Sequence, residues 1–431
     1  MSVRDEGVAD ENLGNENAGA RREFTHNAIA VAVSGAVTGV FGLLFWFAAG
    51  RLFPTESVGA ASALINTTTM VSTVSSAALG GMYERFLGNA RGAARSYVFG
   101  GQVITVSISV CIALILATVS PLNVVLTTKS EVLCYAVFQA TMCVYALQDH
   151  VATGLGVARW SAVKNIAHSV SKLVILVGVA TAATPLAIVA SWWAPALVTG
   201  AALGVVTGIR MRRTSAEGLA PLLPPVRELW SFFLGSTGLV VAGTAVPLAM
   251  PLIVVARFGL EQSAYFAIAW SLISAAVVVM HMMVGPFVAA VSTSSPESSV
   301  HLLHRFGLIL TSLAVLAGLG LGLLGPLMLR LVGYDYYVHG RTLMYFAALT
   351  VPLVLILILY QASARILRRL RYAVGLEAIS AAIILIGICV SPTDRGLGVV
   401  GVWFLIAQGA VAALALTPLL RNLSRLADAA V

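Results

Sequence analysis

Asp149, His150, His168, Lys172 and Glu377 are ionisable side chains that fall within long apolar stretches. A charged group at the centre of a bilayer helix costs about 2.5–3.5 kcal/mol on insertion scales, so each of these needs a partner or water. His168 and Lys172 are four residues apart and share a helix face. Asp149 comes within reach of Lys172 across a short connection. Two chemistries fit the group: a static ion pair with snorkelling side chains, or a proton- or anion-responsive site. A second polar concentration lies at Ser62, Asn66, Thr67, Thr68, Thr69, Ser72, Thr73, Ser75 and Ser76, far more hydroxyl than a lipid-facing helix needs. Ser and Thr also serve as glue between helices. Helical spacing sorts them into two faces, Ser62/Asn66/Thr69/Thr73/Ser76 and Thr68/Ser72/Ser75, without choosing between them.

The elements that must position these groups are membrane helices. Hydrophobic residues make up 59% of the 431-residue chain and charged residues only 10%. Too few charges remain to solvate a water-soluble globule of this size. Twelve apolar windows are expected to be spans: 28–50, 58–81, 97–118, 131–153, 166–182, 186–208, 232–255, 264–290, 306–329, 342–363, 373–391 and 397–420. Each can cross about 30 Å of hydrocarbon at about 1.5 Å per residue. The weakest are 166–182, which is short and carries Lys172, and 58–81, which is rich in Ser and Thr. Of the 26 Lys and Arg residues, 19 fall in the N-terminal tail, the even-numbered loops and the C-terminus, six fall in the odd-numbered loops, and Lys172 lies within a span. That bias places both termini in the cytoplasm. Residues 1–26 read as a disordered cytoplasmic tail, with acids throughout and Arg21 and Arg22 before the first span.

No loop is long enough to fold into a domain. The longest, 209–231, reads as a cytoplasmic linker between an N-terminal six-helix lobe (27–208) and a C-terminal one (232–420), with 421–431 as a cytoplasmic tail. Two sequence echoes support a repeat. Arg51-Leu-Phe-Pro-Thr-Glu-Ser-Val-Gly-Ala-Ala61 aligns without gaps on Arg257-Phe-Gly-Leu-Glu-Gln-Ser-Ala-Tyr-Phe-Ala267, an offset of 206 residues. Gln148 and Arg159-Trp160 are matched by Gln361 and Arg371-Tyr372. Six spans per half give repeats of the same orientation, two parallel lobes. The 206-residue offset sends Thr68 to Ser274, Ser75 to His281 and Thr38 to Thr244. The expectation is therefore a cavity between the lobes walled by Thr38, Thr68, Ser72, Ser75, Thr244, Ser274 and His281, with the Asn66 amide on the same span.

Composition excludes several functions. There is no Walker A loop, no dinucleotide-binding glycine pattern, no HExxH and no GxSxG in the sequence, so hydrolysis of ATP by this chain is not expected. Cys111, Cys134, Cys143 and Cys389 form no CxxC pair and no metal-ligand spacing, so neither disulfide, zinc nor other cofactor is expected, with H⁺ or Na⁺ coupling left open. The net charge of +8 is explained by topology and anionic lipid rather than by nucleic acid. The outer loops are short and their acids isolated, which argues against a membrane glycosyltransferase or polymerase.

The stretch Gly50-Arg-Leu-Phe-Pro-Thr-Glu-Ser-Val-Gly59, running through the polar second span to Gly80-Gly-Met-Tyr-Glu-Arg-Phe-Leu87, resembles the start of the polysaccharide-export flippases, the O-antigen (Wzx-type) flippase group of the multidrug/oligosaccharidyl-lipid/polysaccharide exporter superfamily. Val254 to Tyr265 resembles the same element opening a second half. The resemblance implies an all-α, MATE-like exporter fold of two six-helix lobes in the cytoplasmic membrane. It also implies alternating access that carries a polyprenyl-diphosphate-linked oligosaccharide from inner to outer leaflet, with glycan polymerases or glycosyltransferases as partners. Relatives that handle lipid diphosphates often carry arginines in the first and eighth spans. Here those spans have none, and Lys172, His281, Arg51 and Arg257 are the candidates for the phosphate. An ion-coupled multidrug exporter of the same superfamily is the rival reading, although the acid such pumps commonly use in the first span is missing.

Overall fold

The structure is a computed structural model and describes residues 30, 33–119, 121–216, 226–284, 287, 288, 291, 296–367 and 370–428. The expected 1–26 tail lies outside the described residues. Among the described residues the chain is all-α. The helices are α1 (Val33–Leu52), α2 (Thr55–Ala90), α3 (Ala94–Val119), α4 (Lys129–Gly154), α5 (Ala158–Gly178), α6 (Pro185–Ala216) and α7 (Val226–Met282). They continue with α8 (Pro296–Leu319), α9 (Gly325–Val332), α10 (Tyr334–Ile366), α11 (Leu370–Val390) and α12 (Gly398–Asp428). Nine helical stretches among the described residues are long and apolar enough to cross a membrane, which makes this a multi-pass membrane protein. The windows 58–81 and 166–182 do not supply separate members of that set, because hydroxyls in the first and Lys164, His168 and Lys172 in the second reduce their hydropathy. The window 232–255 and residues 264–282 of the next lie on one helical stretch, α7, broken at Gly259 (φ +85°, ψ 177°).

Local sequence explains the joints. Thr128 and Glu131 open α4 with a capping box, the Glu131 amide donating to Thr128 Oγ1 at 3.2 Å and the Thr128 amide to Glu131 Oε2 at 2.9 Å; this satisfies two otherwise unpaired donors. The run Gly320-Leu-Gly-Leu-Leu324 forms a π-helical turn between α8 and α9. Helix also intrudes on the expected 209–231 linker from both sides, because α6 continues to Ala216 and α7 starts at Val226. Likewise α12 runs through most of the expected C-terminal tail, to Asp428.

From α2 onward, the packing of the described helices falls into two sets. Helices α2 to α6 pack on one another, α7 to α12 do the same, and α2 against α7 is the principal contact between the two sets. That contact joins the two echoed segments. The first supplies the break between α1 and α2 at Pro54, the second the break in α7 at Gly259. Gly59 approaches so closely that an added Cβ would meet the Leu260 carbonyl, and the Ser62 and Ser263 hydroxyls share a buried hydrogen bond at 3.3 Å. Small residues with short hydroxyls let helix backbones meet in this way.

Candidate functional site

Two cavities collect most of the sequence-predicted groups, one in each half. The first, of about 290 Å³, is walled by Thr38 of α1, Thr69, Ser72 and Thr73 of α2, Tyr145 and Asp149 of α4, Asn165, His168, Ser169 and Lys172 of α5, and Trp192 of α6. The polar residues of α5 form one stripe, Ser161, Lys164, Asn165, His168 and Lys172, at three- and four-residue intervals, and Asn165, His168 and Lys172 of it wall the cavity. The helix starts at Ala158, eight residues before the expected window, so Lys164 is inside it rather than in a loop.

That shift changes the ion pairing. Asp149 pairs not with Lys172 but with Lys164, whose Nζ donates to Asp149 Oδ1 and to the Tyr145 carbonyl, both at 2.7 Å. Ser161 Oγ donates to Asp149 Oδ1 at 2.5 Å and Asn165 Nδ2 to Oδ2 at 3.1 Å, while the Tyr145 hydroxyl donates to Asn165 Oδ1 at 2.8 Å. The carboxylate is thus saturated by its own neighbours. Lys164, on the second turn of α5, is closer to the end of α4 than Lys172 two turns further on, and geometry decides for it. The signal was present in the sequence, since Lys164, His168 and Lys172 recur every four residues.

Lys172 is left with aromatic partners. It is buried, 4% exposed, with Nζ 3.6 Å from the Trp192 ring centroid and 5.3 Å from that of Phe45. Among the described residues no carboxylate lies within ion-pair distance of it. Cation–π contact is worth about 2 kcal/mol when desolvated, which does not replace the hydration of an ammonium. His168 is fixed beside it, Nε2 donating to the Trp192 carbonyl at 3.0 Å with its ring packed between Tyr145 and Trp192. The cavity therefore presents a cation, an imidazole and several hydroxyls, with its one acid already neutralised.

On α2 the cavity takes residues from both faces, Thr69 and Thr73 from one and Ser72 from the one the repeat offset favours. Thr68 and Ser72 are buried and turned toward α4, where Gln139 Nε2 donates to Ser72 Oγ at 2.9 Å, to Ser109 Oγ at 2.7 Å and to the Thr68 carbonyl at 3.5 Å. Ser75 Oγ is also enclosed. Thr69 and Thr73, from the alternative face, wall the cavity, with Ser72 at its edge. A buried glutamine amide must find partners, and it draws its side of α2 inward. Asn66 bonds back to the Ser62 carbonyl at 2.7 Å, part-buried and outside both cavities. The side chain of Thr244 lies outside the described residues.

The second cavity, of about 430 Å³, contains Ser274 and His281 of α7, Thr350 of α10, Glu377 of α11 and Gln408 of α12, among Trp270, Phe404 and aliphatic side chains. Glu377 Oε1 accepts from Gln361 Nε2 at 2.6 Å, and His281 Nδ1 donates to the Val277 carbonyl at 3.0 Å. Of the predicted polar groups, Thr38, Ser72, Asp149, His168 and Lys172 thus meet in the first cavity and Ser274, His281 and Glu377 in the second. His150 is elsewhere, with Nδ1 2.7 Å from Glu84 Oε1 between α4 and α2.

The rim arginines are committed to backbone. Arg51 Nη1 donates to the Leu331 carbonyl at 2.6 Å and Arg257 Nη2 to the Ser391 carbonyl at 2.8 Å. Both carbonyls close helix C-termini, where a cation is favoured. Among the described residues no cluster of three His, Cys, Asp or Glu has metal-binding geometry.

No family model and no curated protein matches this sequence. Solved structures do. One is an inward-facing multidrug resistance MATE family transporter of the MOP superfamily, with 14% identity over 94% of this chain and 98% of that one and a TM-score of 0.63. Another is the lipid II flippase MurJ in an inward closed conformation, with 9% identity over 93% of this chain and 90% of that one and a TM-score of 0.68. An outward-facing MATE family transporter of the same superfamily follows, with 15% identity over 94% and 96% of the two chains and a TM-score of 0.53. The chain has the fold of MATE transporters and MurJ. At these identities the MATE-like fold is what is shared.

Proposed function

We propose that the chain is a flippase of the cytoplasmic membrane that moves a polyprenyl-diphosphate-linked oligosaccharide from the inner to the outer leaflet by alternating access. In this reading it has twelve crossings, two parallel six-helix lobes and cytoplasmic termini, and exchanges its substrate with glycan polymerases or glycosyltransferases. The observation that carries it is Lys172: a buried cation with no carboxylate in ion-pair distance among the described residues, on the wall of a cavity that also holds hydroxyls, an amide, an imidazole and the Asp149 carboxylate, itself paired with Lys164. Such a wall suits a diphosphate through charge-assisted hydrogen bonds and a sugar through hydroxyl exchange. The sharing of a fold with MurJ, a lipid II flippase, supports the amphiphilic substrate class. Proton or sodium coupling would supply the driving force, because the sequence has no nucleotide-hydrolysis motif.

The test is a proteoliposome assay that reads delivery of a fluorescent oligosaccharide headgroup on a polyprenyl diphosphate to the opposite leaflet. Wild type is expected to deliver it and Lys172→Gln to lose at least tenfold in rate with unchanged protein level. The second reading, an ion-coupled exporter of lipophilic cations, is favoured by Glu377 beside Trp270 and Phe404 in the other cavity. Cation efflux that depends on Glu377, with no movement of the lipid-linked glycan, would replace the first reading by the second.

A further inference from the structure

Helix α5 carries two adjacent stripes. One faces the first cavity with Asn165, His168 and Lys172. The other, Arg159, Ala162, Val163 and Ile166, walls an apolar groove of about 390 Å³ whose opposite side is Ala30 and, at the start of α1, Val33. Helix α1 divides likewise, with Val33 on the groove and Thr38 on the cavity. Between the two spaces, Ser34 Oγ donates to the Ala162 carbonyl at 3.2 Å. Arg159 and Trp160 stand exposed at the first turn of α5, Trp160 42% and Val163 54% exposed. From Arg159 to Ile166 the helix rises about 10 Å, so the groove has a cationic and aromatic mouth and an apolar length. Trp and Arg of this kind sit at the headgroup level of a bilayer.

Resting on the flippase reading, we propose that the α1/α5 groove is the docking site of the substrate's lipid: the isoprenoid units next to the diphosphate lie along Ala162, Val163 and Ile166, with the diphosphate at Arg159. The occupant follows from charge and continuity. The mouth is cationic and suits a phosphate, the length suits a hydrocarbon chain, and the neighbouring face of the same helix is the polar wall that would take the sugar. An amphiphile uses the two faces of α5 in turn, its diphosphate docking at Arg159 before transfer to the wall that carries Lys172. Transfer of its headgroup inward would part the Ser34–Ala162 contact while the chain stays in lipid.

The experiment uses the full chain in nanodiscs and a photoreactive polyprenyl diphosphate, with the labelled peptides mapped by mass spectrometry. Labelling is expected within residues 159–166 and is expected to fall at least fivefold in Val163→Trp, a lipid-facing substitution, and in Arg159→Gln. Excess undecaprenyl diphosphate is expected to compete and phosphatidylglycerol is not. Labelling of α5 unchanged by Val163→Trp, or competed equally by phosphatidylglycerol, overturns the proposal and leaves the groove a site of ordinary bilayer lipid. Retention of a radiolabelled diphosphate-linked glycan carrier is measured on the same nanodiscs. If wild type retains the carrier without labelling of α5, only the groove assignment fails. If it retains neither probe nor carrier, the flippase reading fails with it.

Discussion

Replacing Gly59 by alanine tests whether the α2/α7 seam is a gate. A Cβ at that position would stand 1.8 Å from the Leu260 carbonyl oxygen, against a floor of 3.0 Å for real Cβ contacts. The obstruction is backbone, so no rotamer change relieves it, and the helices must part by at least the difference, about 1.2 Å. Overpacking of a close helix contact costs about 1–3 kcal/mol. Loss of the Ser62–Ser263 hydrogen bond, 3.3 Å long and buried, adds about 0.5–1.5 kcal/mol. A combined cost of about 1.5–4.5 kcal/mol lowers the population of the closed seam about 10- to 1,600-fold relative to states in which the seam is open. The assay is the rate of oxidative cross-linking between Ser62→Cys and Ser263→Cys in a background lacking Cys111, Cys134, Cys143 and Cys389. Gly59→Ala is expected to slow it at least tenfold. Gly39→Ala, where a Cβ meets nothing within 4 Å, is expected to leave it unchanged. Equal cross-linking rates for Gly59→Ala and its parent would refute the inference that this backbone contact holds the seam shut.

Three further outcomes are expected. Lys164→Met should lower stability by about 1–3 kcal/mol, a value reduced for the partial exposure of Asp149, and thermal melting in detergent should show partial rescue by Asp149→Leu; an unchanged melt would mean the pair is not structural. Single cysteines at Thr69 and Thr73 should react with polar thiol reagents faster than one at Thr68, and the reverse order would restore the face of α2 that the repeat offset favours. Reporter fusions after Ala93, Gly218 and Arg371 should read cytoplasm and those after Pro54, Lys129 and Asp335 the outside, with any consistent inversion removing the twelve-span topology.

Class was written in the composition. With 10% charge in 431 residues the chain belongs in a membrane, where only helices or a closed barrel satisfy the backbone, and apolar windows of about 20 residues select helices. The helix breaks were also legible, because Pro54 and Gly259 act locally and the echoed segments around them mark both. What sequence could not decide was helix rotation and start. An offset of 206 residues makes Thr68 and Ser274 equivalent in register, yet Gln139 of α4, distant in sequence, holds Thr68 and Ser72 against the interior of the first half. Only packing among α2, α3 and α4 determines that. The partner of Asp149 was equally a tertiary matter. Three residues, Lys164, His168 and Lys172, share one face of α5, and the sequence makes all of them available. The start of α5 at Ala158 brings Lys164 to the carboxylate and leaves Lys172 to Trp192 and Phe45. Sequence supplied the ionisable groups and the membrane that makes them costly; tertiary packing chose which charge is neutralised and which faces the cavity, because a buried charge is paired by the nearest group in space and not in sequence.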